Sequence, residues 1–140
     1  MHGISIAVAD VSTRLNNKRI LYNWIYSLVL SEKKEPGEIT VILCSDQFLL
    51  DMNKKFLDHD YYTDIITFDY CAGNIISGEL YISVDRVKEN AKSFEVSFAH
   101  ELHRVMAHGI LHLCGYKDKK KLDVLLMRKK EDEKLKMLQL

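Results

Sequence analysis

Residues 38–44 read EITVILC, an unbroken run rich in β-branched side chains. Such a run predicts a strand buried on both faces, and so a sheet at the centre of the molecule. On its N-terminal side, Pro36-Gly37 closes off a helix over 13–33, whose Leu21, Trp24, Ile25 and Leu28 keep i, i+3, i+4, i+7 spacing. Ahead of that helix, Ile4, Ile6 and Val8 alternate with smaller or polar residues and predict a short strand. On the C-terminal side, Ser45 and Asp46 are suitable N-caps for a second helix reaching about Phe56. A polar and aromatic loop, 57–62, follows. Residues 63–71 and 79–84 then predict two strands of a hairpin around the turn signals Gly73-Asn74 and Gly78. Asp85 is placed to cap a short helix through about Ala91.

Leu102, Val105, Met106, Gly109, Ile110 and Leu113 mark one face of a long helix, about 95–114, which Gly115 stops as a C′ residue. A final helix over 119–138 is expected to face inward with Leu122, Leu125 and Leu126. The order βαβαββααα, without repeats or linkers, predicts one α+β domain over residues 1–140. Its architecture is a mixed sheet of about four strands covered by helices, with the histidine-bearing helix beside the sheet.

A chain of 140 residues can bury a core without disulfides. Apolar residues at 47% and charged residues at 29% exclude disordered, collagen-like and membrane-spanning classes. The N-terminal residues MHGISIAVAD do not read as a signal peptide. Cys44, Cys71 and Cys114 are widely spaced and odd in number, which suits a reducing cytoplasm. The net charge of zero argues against a generic, charge-driven nucleic-acid binder, but it hides an asymmetry. Residues 117–136 hold nine Lys/Arg against five Asp/Glu, a net of +4, leaving −4 on the remainder. That segment can attract phosphates; the plainer reading is a solvated face of the last helix.

Four of the six histidines fall between His100 and His112. On a helix turning about 100° per residue, His108 and His112 sit on adjacent turns of one stripe, the i, i+4 geometry that presents two imidazoles to one metal ion. His100 and His103 point away from that stripe. A catalytic zinc commonly takes three protein ligands and keeps a position open. The turn at Gly115 lets Asp118 fold back as the third, giving a His₂Asp site in which harder divalent metals compete better with zinc. The zinc-peptidase pattern H-E-x-x-H has its general base where this chain has Gly109, which disfavours peptide hydrolysis. Glu101 shares the stripe but lies about 10 Å before His108, and reads as a residue supporting the ligands or the fold in preference to that base. Gly109 inside a helix costs about 1 kcal/mol against alanine and calls for a packing or functional reason.

The run His108-Gly109-Ile110-Leu111-His112-Leu113-Cys114-Gly115-Tyr116 resembles H-G-x-L-H-L-x-G-Y, the signature of the YbeY family of bacterial endoribonucleases and ribosomal RNA maturation factors. Glu101-Leu102, Gly78-Glu79-Leu80-Tyr81-Ile82-Ser83, and Met52-Asn53 followed by Thr63-Asp64-Ile65-Ile66-Thr67-Phe68 resemble further family segments in the same order. The resemblance implies a metal-dependent hydrolase fold with one zinc ion, acting in small-subunit ribosomal RNA processing and ribosome quality control. It implies ribosomal RNA, the small subunit and ribosome-associated proteins as partners, and no membrane. The family's motif continues to a third histidine where this chain has Asp118. The family's arginine between the L-N and T-D blocks aligns with Leu57. An arginine there would clamp the charge that develops on a phosphodiester; Lys54, Lys55 and Arg104 are the candidate substitutes.

The expected chemistry is cleavage of RNA phosphodiesters by a metal on His108, His112 and Asp118, which polarises a phosphoryl oxygen or activates water. The cleft is expected between the ligand helix and the sheet, rimmed by 57–62. Tyr61, Tyr62 and Phe68 are candidates for stacking on bases, with ordinary packing the plainer reading for Phe68. Asp64 either orients a ligand or water, or caps the turn before its strand. His59 reads as an exposed loop residue. The competing expectation is a ribosome-associated RNA- or protein-binding assembly factor with a structural metal and little hydrolytic activity. A third is a hydrolase of another phosphoester or amide.

Overall fold

The computed structural model of the chain describes residues 3–59 and 62–138. Its elements run β1 (Ile4–Val8), α1 (Lys18–Ser31), β2 (Glu35–Cys44), α2 (Asp46–Leu57), β3 (Ile65–Asp69), β4 (Ile75–Ser83), α3 (Val84–Ser93), α4 (Phe98–Leu113) and α5 (Lys121–Leu135). The four strands form one mixed sheet in the order β1-β2-β4-β3. β2 is parallel to both β1 and β4, and β3 closes the edge antiparallel to β4. Ile6 pairs with Val41 and Val41 with Leu80, so one row of apolar residues crosses three strands and points to one face. That face carries the main core, closed by Leu21, Ile25 and Leu28 of α1 and by Leu102, Val105 and Ile110 of α4. A smaller cluster of Cys44, Leu49 and Ile66 lies on the opposite face, under α2.

Several boundaries differ from the sequence expectation for identifiable reasons. β2 is buried on one face through Ile39, Val41 and Leu43, but Thr40 and Ile42 are only half-buried. The reason is that α2 packs on β3 and β4 and leaves the other end of that face thinly covered. Pro36 and Gly37 belong to β2, where a register shift between Pro36 and Ile39 absorbs them. α1 ends instead at Ser31, with Glu32 as its C-cap and Lys33 following at φ 59°. Gly78 sits within β4 and not in the turn, because a Cβ there would collide with the Phe68 carbonyl oxygen and meet Leu113 at 3.0 Å. The Ser83 hydroxyl, not Asp85, caps α3 by accepting the Arg86 N–H. Ser45 caps α2 as expected, accepting the Phe48 N–H.

The largest correction concerns α5. Leu122, Leu125 and Leu126 face solvent, at 79%, 59% and 45% exposure, while Met127, Glu131 and Lys134 are buried. α1 and α4 cover most of the core, so α5 docks on α4 at the margin, where Met127 and Leu135 reach the core and charged groups fixed by partners fill the remainder of the buried face. Lys134 pairs with Glu32 at 2.6 Å, and its carbonyl accepts the Trp24 indole N–H at 2.8 Å. No helix among the described residues is long and apolar enough to cross a membrane.

Candidate metal centre and its cleft

α4 begins where the Ser97 hydroxyl accepts the His100 N–H at 3.0 Å, one of the donors that a helix start leaves unpaired. Its apolar face lies on β3 and β4. A Cβ at Gly109 would stand 2.7 Å from Ile65 Cδ1 and 3.0 Å from the Leu80 methyls. The glycine therefore has a packing reason: it lets the helix backbone approach the sheet. This seats His108 and His112 at the boundary between helix and strand, both half-buried.

The helix ends in a Schellman turn. Tyr116 N–H bonds the Leu111 carbonyl at 3.1 Å, Gly115 N–H bonds the His112 carbonyl at 3.0 Å, and Gly115 takes φ 109°. The turn reverses the chain and delivers Asp118 to the histidine stripe. Asp118 Oδ2 lies 3.1 Å from His108 Nε2 and 3.2 Å from His112 Nε2. The donor atoms of the three residues all lie within 4.8 Å of one another.

The opposite nitrogens decide what this triangle can do. His108 Nδ1 is 2.6 Å from Glu131 Oε2, and His112 Nδ1 is 2.9 Å from the Tyr116 carbonyl oxygen. Both partners are acceptors, so each Nδ1 carries the hydrogen, and in the neutral rings each Nε2 presents a lone pair. With both rings neutral, two imidazole lone pairs and a carboxylate oxygen converge with no hydrogen between them, an arrangement that suits a cation; a protonated His108 donating from Nε2 to Asp118 satisfies the same contact without one. Zinc bonds of about 2.0–2.2 Å in tetrahedral geometry set neighbouring donors roughly 3.3 Å apart, close to the two separations from Asp118. The residues fit a single metal ion. Burial works against a charged His108 imidazole, but Glu131, with Asp118 and Asp64, outweighs burial and holds its pKa above the ordinary value.

The site opens into a cleft of about 520 Å³ between α4, β3 and the end of α2. Its lining includes Leu57, Asp64, His108, His112, Asp118 and Lys119. Burial pushes the Asp64 carboxyl up, against the pull of His108 and Arg104. A second cleft, of about 600 Å³, lies at the other end of α4 beside His100 and His103 and contains none of the three ligands.

Comparison with known proteins places the chain in a family. The family model described as "Endoribonuclease YbeY" matches residues 6–139. The chain belongs to the endoribonuclease YbeY family. Curated relatives named Endoribonuclease YbeY include one from Flavobacterium psychrophilum, 52% identical over 128 residues, with 91% of each chain covered. Another, from Porphyromonas gingivalis, is 47% identical over 139 residues, covering 99% of this chain and 92% of that one. The solution structure of the Thermotoga maritima protein TM1509 aligns with a TM-score of 0.63 at 28% identity, over 96% of this chain and 90% of that one.

Within this YbeY-family cleft, the residues singled out from sequence are unequally placed. His108, His112, Asp118 and Asp64 come together. Leu57, the position that the sequence resemblance aligns with an arginine, lines the cleft and offers it an apolar side chain. Arg104 is not free to replace that arginine. Its guanidinium is held in two bonds by Glu101, at 2.9 and 2.6 Å, and by Glu131 at 2.9 Å. Lys54 and Lys55 stand on α2 outside the cleft lining, with Lys55 over the Phe56 ring. Phe68 packs against Phe56 and Tyr81 on the far face of the sheet, and Arg86 covers the Tyr62 ring. Tyr61 lies outside the described residues. His59, read as a loop residue, lines the cleft. Sequence reasoning missed the contact of Glu131 with His108, and it placed Lys119 only within a basic segment able to attract phosphates, not in the cleft. Glu131 lies in the segment that periodicity misassigns, and Lys119 looks like any member of the lysine run until the turn places it beside Asp118.

Proposed function

We propose that this protein is a metal-dependent endoribonuclease that cleaves RNA phosphodiesters in small-subunit ribosomal RNA maturation and ribosome quality control, in the cytoplasm. The observation that carries the reading is the convergence of His108 Nε2, His112 Nε2 and Asp118 Oδ2 in an open cleft. RNA as substrate rests on the family and on the relatives named as endoribonucleases. Ribosomal RNA, the small subunit and ribosome-associated proteins are the partners that follow from this reading. His108, His112 and Asp118 hold one zinc ion or another divalent cation, the carboxylate making harder metals competitive. A cation there supplies Lewis acidity toward a phosphodiester.

The chain's own groups supply the remaining chemistry. The Tyr116 carbonyl and the Glu131 carboxylate fix the two rings as Nδ1–H tautomers. Lys119 brings a positive charge to the cleft wall and neutralises a substrate phosphate, in place of the arginine that Leu57 cannot supply. Asp64, beside the ligands, accepts a hydrogen bond from water or a substrate hydroxyl and orients it.

The test is cleavage of a structured ribosomal RNA fragment by wild type and His112→Ala, with chelator and metal add-back. Metal-dependent cleavage that disappears in the variant supports the reading. Leu57 favours a second reading, an RNA- or protein-binding assembly factor with a structural metal. It predicts RNA binding that survives His112→Ala, with no cleavage in either protein.

A further inference from the structure

Two buried charges on α5 need an explanation, because a buried carboxylate or ammonium is costly unless it is paired. Lys134 has one in Glu32, which ties α5 to the end of α1. Glu131 has two partners of different kinds. Oε1 accepts from the Arg104 guanidinium at 2.9 Å, and Oε2 meets His108 Nδ1 at 2.6 Å. Arg104 is in turn gripped by Glu101, itself 1% exposed. Glu101, Arg104 and His108 fall at i, i+3 and i+7, one stripe of α4, so the row is built on a single rigid helix and completed from α5.

The charges along this row do not cancel. Two buried carboxylates face one buried guanidinium, leaving a net −1 directly behind the His108 ring. Arg128 approaches Glu131 only from the rim, at 3.5 Å and half exposed. His112 is backed differently, by the neutral carbonyl of Tyr116. One ligand ring therefore leans on a carboxylate and the other on a peptide group. A carboxylate behind a ligating imidazole fixes the ring, fixes its tautomer and raises its basicity toward the metal.

We propose that Glu131, held by Arg104 and Glu101, is a positioning residue for the metal, orienting His108 Nε2 into the site and supplying the negative charge that favours cation binding. The inference rests on the metal-site reading above. It separates α5's role in tuning the site from its role in covering the protein, and assigns the first to Glu131 and the second to Lys134.

The test is zinc affinity, measured by competition with a chromophoric chelator, together with the visible absorption of the cobalt-substituted protein, in folded variants. Glu131→Leu, which removes both acceptor and charge, is expected to weaken zinc toward a hundredfold and to alter the cobalt bands. Glu131→Gln, which keeps an acceptor and loses the charge, is expected to weaken it about tenfold, both within the usual range for such partners. Lys134→Gln loosens the same helix without touching His108, and should bind zinc and cobalt as wild type does. Unchanged affinity and spectrum in Glu131→Gln would overturn the proposal, and this holds even if Glu131→Leu fails to fold. Equal weakening in Lys134→Gln would also overturn it, since any loosening of α5 would then suffice. A wild type that binds neither metal would instead remove the metal-site reading, and this inference with it.

Discussion

α4 and α5 are neighbouring helices of similar length, yet they are held by different physics. α4 lies on the sheet with Leu102, Val105, Met106, Ile110 and Leu111 buried, and its charged residues sit where the stripe meets the edge. α5 turns Leu122, Leu125 and Leu126 to solvent, and beside the apolar Met127 and the half-buried Leu135 it buries the charged Glu131 and Lys134. The first helix forms the core and obeys hydrophobic periodicity. The second adds only Met127 and part of Leu135 to that core, and specific ion pairs supply much of what fixes its position. This difference teaches that a helix at the margin of a domain can be positioned by the groups it must satisfy, and that one of those groups here is His108, a member of the candidate metal site.

The comparison can be broken most severely on α4. Leu111→Ala empties a fully buried position and is expected to cost about 2–5 kcal/mol in urea unfolding. The next largest effect should come from α5, but through a charge. Lys134→Ala strands Glu32 and is expected to cost about 3 kcal/mol, the low end for a broken buried pair, because Lys130 and Tyr116 still bond that carboxylate. Leu122→Ala and Leu125→Ala, on the same helix, should change stability by less than about 0.5 kcal/mol. If the leucine variants cost more than Lys134→Ala, the two helices are held alike and the contrast fails.

Acid sharpens the same contrast, with different signs of burial on the two sides. Burial opposes ionisation of Glu32, but hydrogen bonds from Lys134 and Tyr116 more than offset it and hold its pKa below the ordinary carboxylate value. Its stabilisation is therefore complete above the unfolded-state pKa, about 4.3, and is lost as pH falls through the lower folded-state value. Unfolding free energies followed from about pH 6 to pH 3 should decline less steeply in Glu32→Gln. On the α4 side, His103 packs edge-on against Trp24, and burial, with His100 nearby, lowers its pKa. A histidine kept neutral in the fold contributes fully above the unfolded-state pKa, about 6.5, and progressively less as pH falls toward the folded-state value. His103→Phe should flatten that smaller slope between about pH 7 and pH 5, and an unaltered slope would show that His103 is not its source.

Much of the fold was legible because most elements serve the core directly. The spacing of Leu21, Trp24, Ile25 and Leu28 and the run around Val41 describe surfaces that the sheet requires to be buried, and the hairpin announces itself by its turn residues. The errors fall where tertiary context decides. A bulge accommodates Pro36 inside a strand, Gly78 answers to a close approach by Leu113 and not to a turn, and α5 answers to Glu32 and His108. The convergence of His108, His112 and Asp118 was readable because all three lie within eleven consecutive residues, joined by a turn that glycine marks. Glu131 was not readable, because its relation to His108 spans 23 residues and depends on how α5 docks.

The central claim is that His108, His112 and Asp118 form a metal-binding triangle. Its most direct test is elemental analysis of the wild type and of Asp118→Ala, both purified without chelator or histidine tag and incubated with zinc. The account predicts near-stoichiometric zinc in the wild type, one ion per chain, and strongly reduced content in the variant. A wild type without metal after that incubation, or an Asp118→Ala protein that retains it fully, would contradict the account.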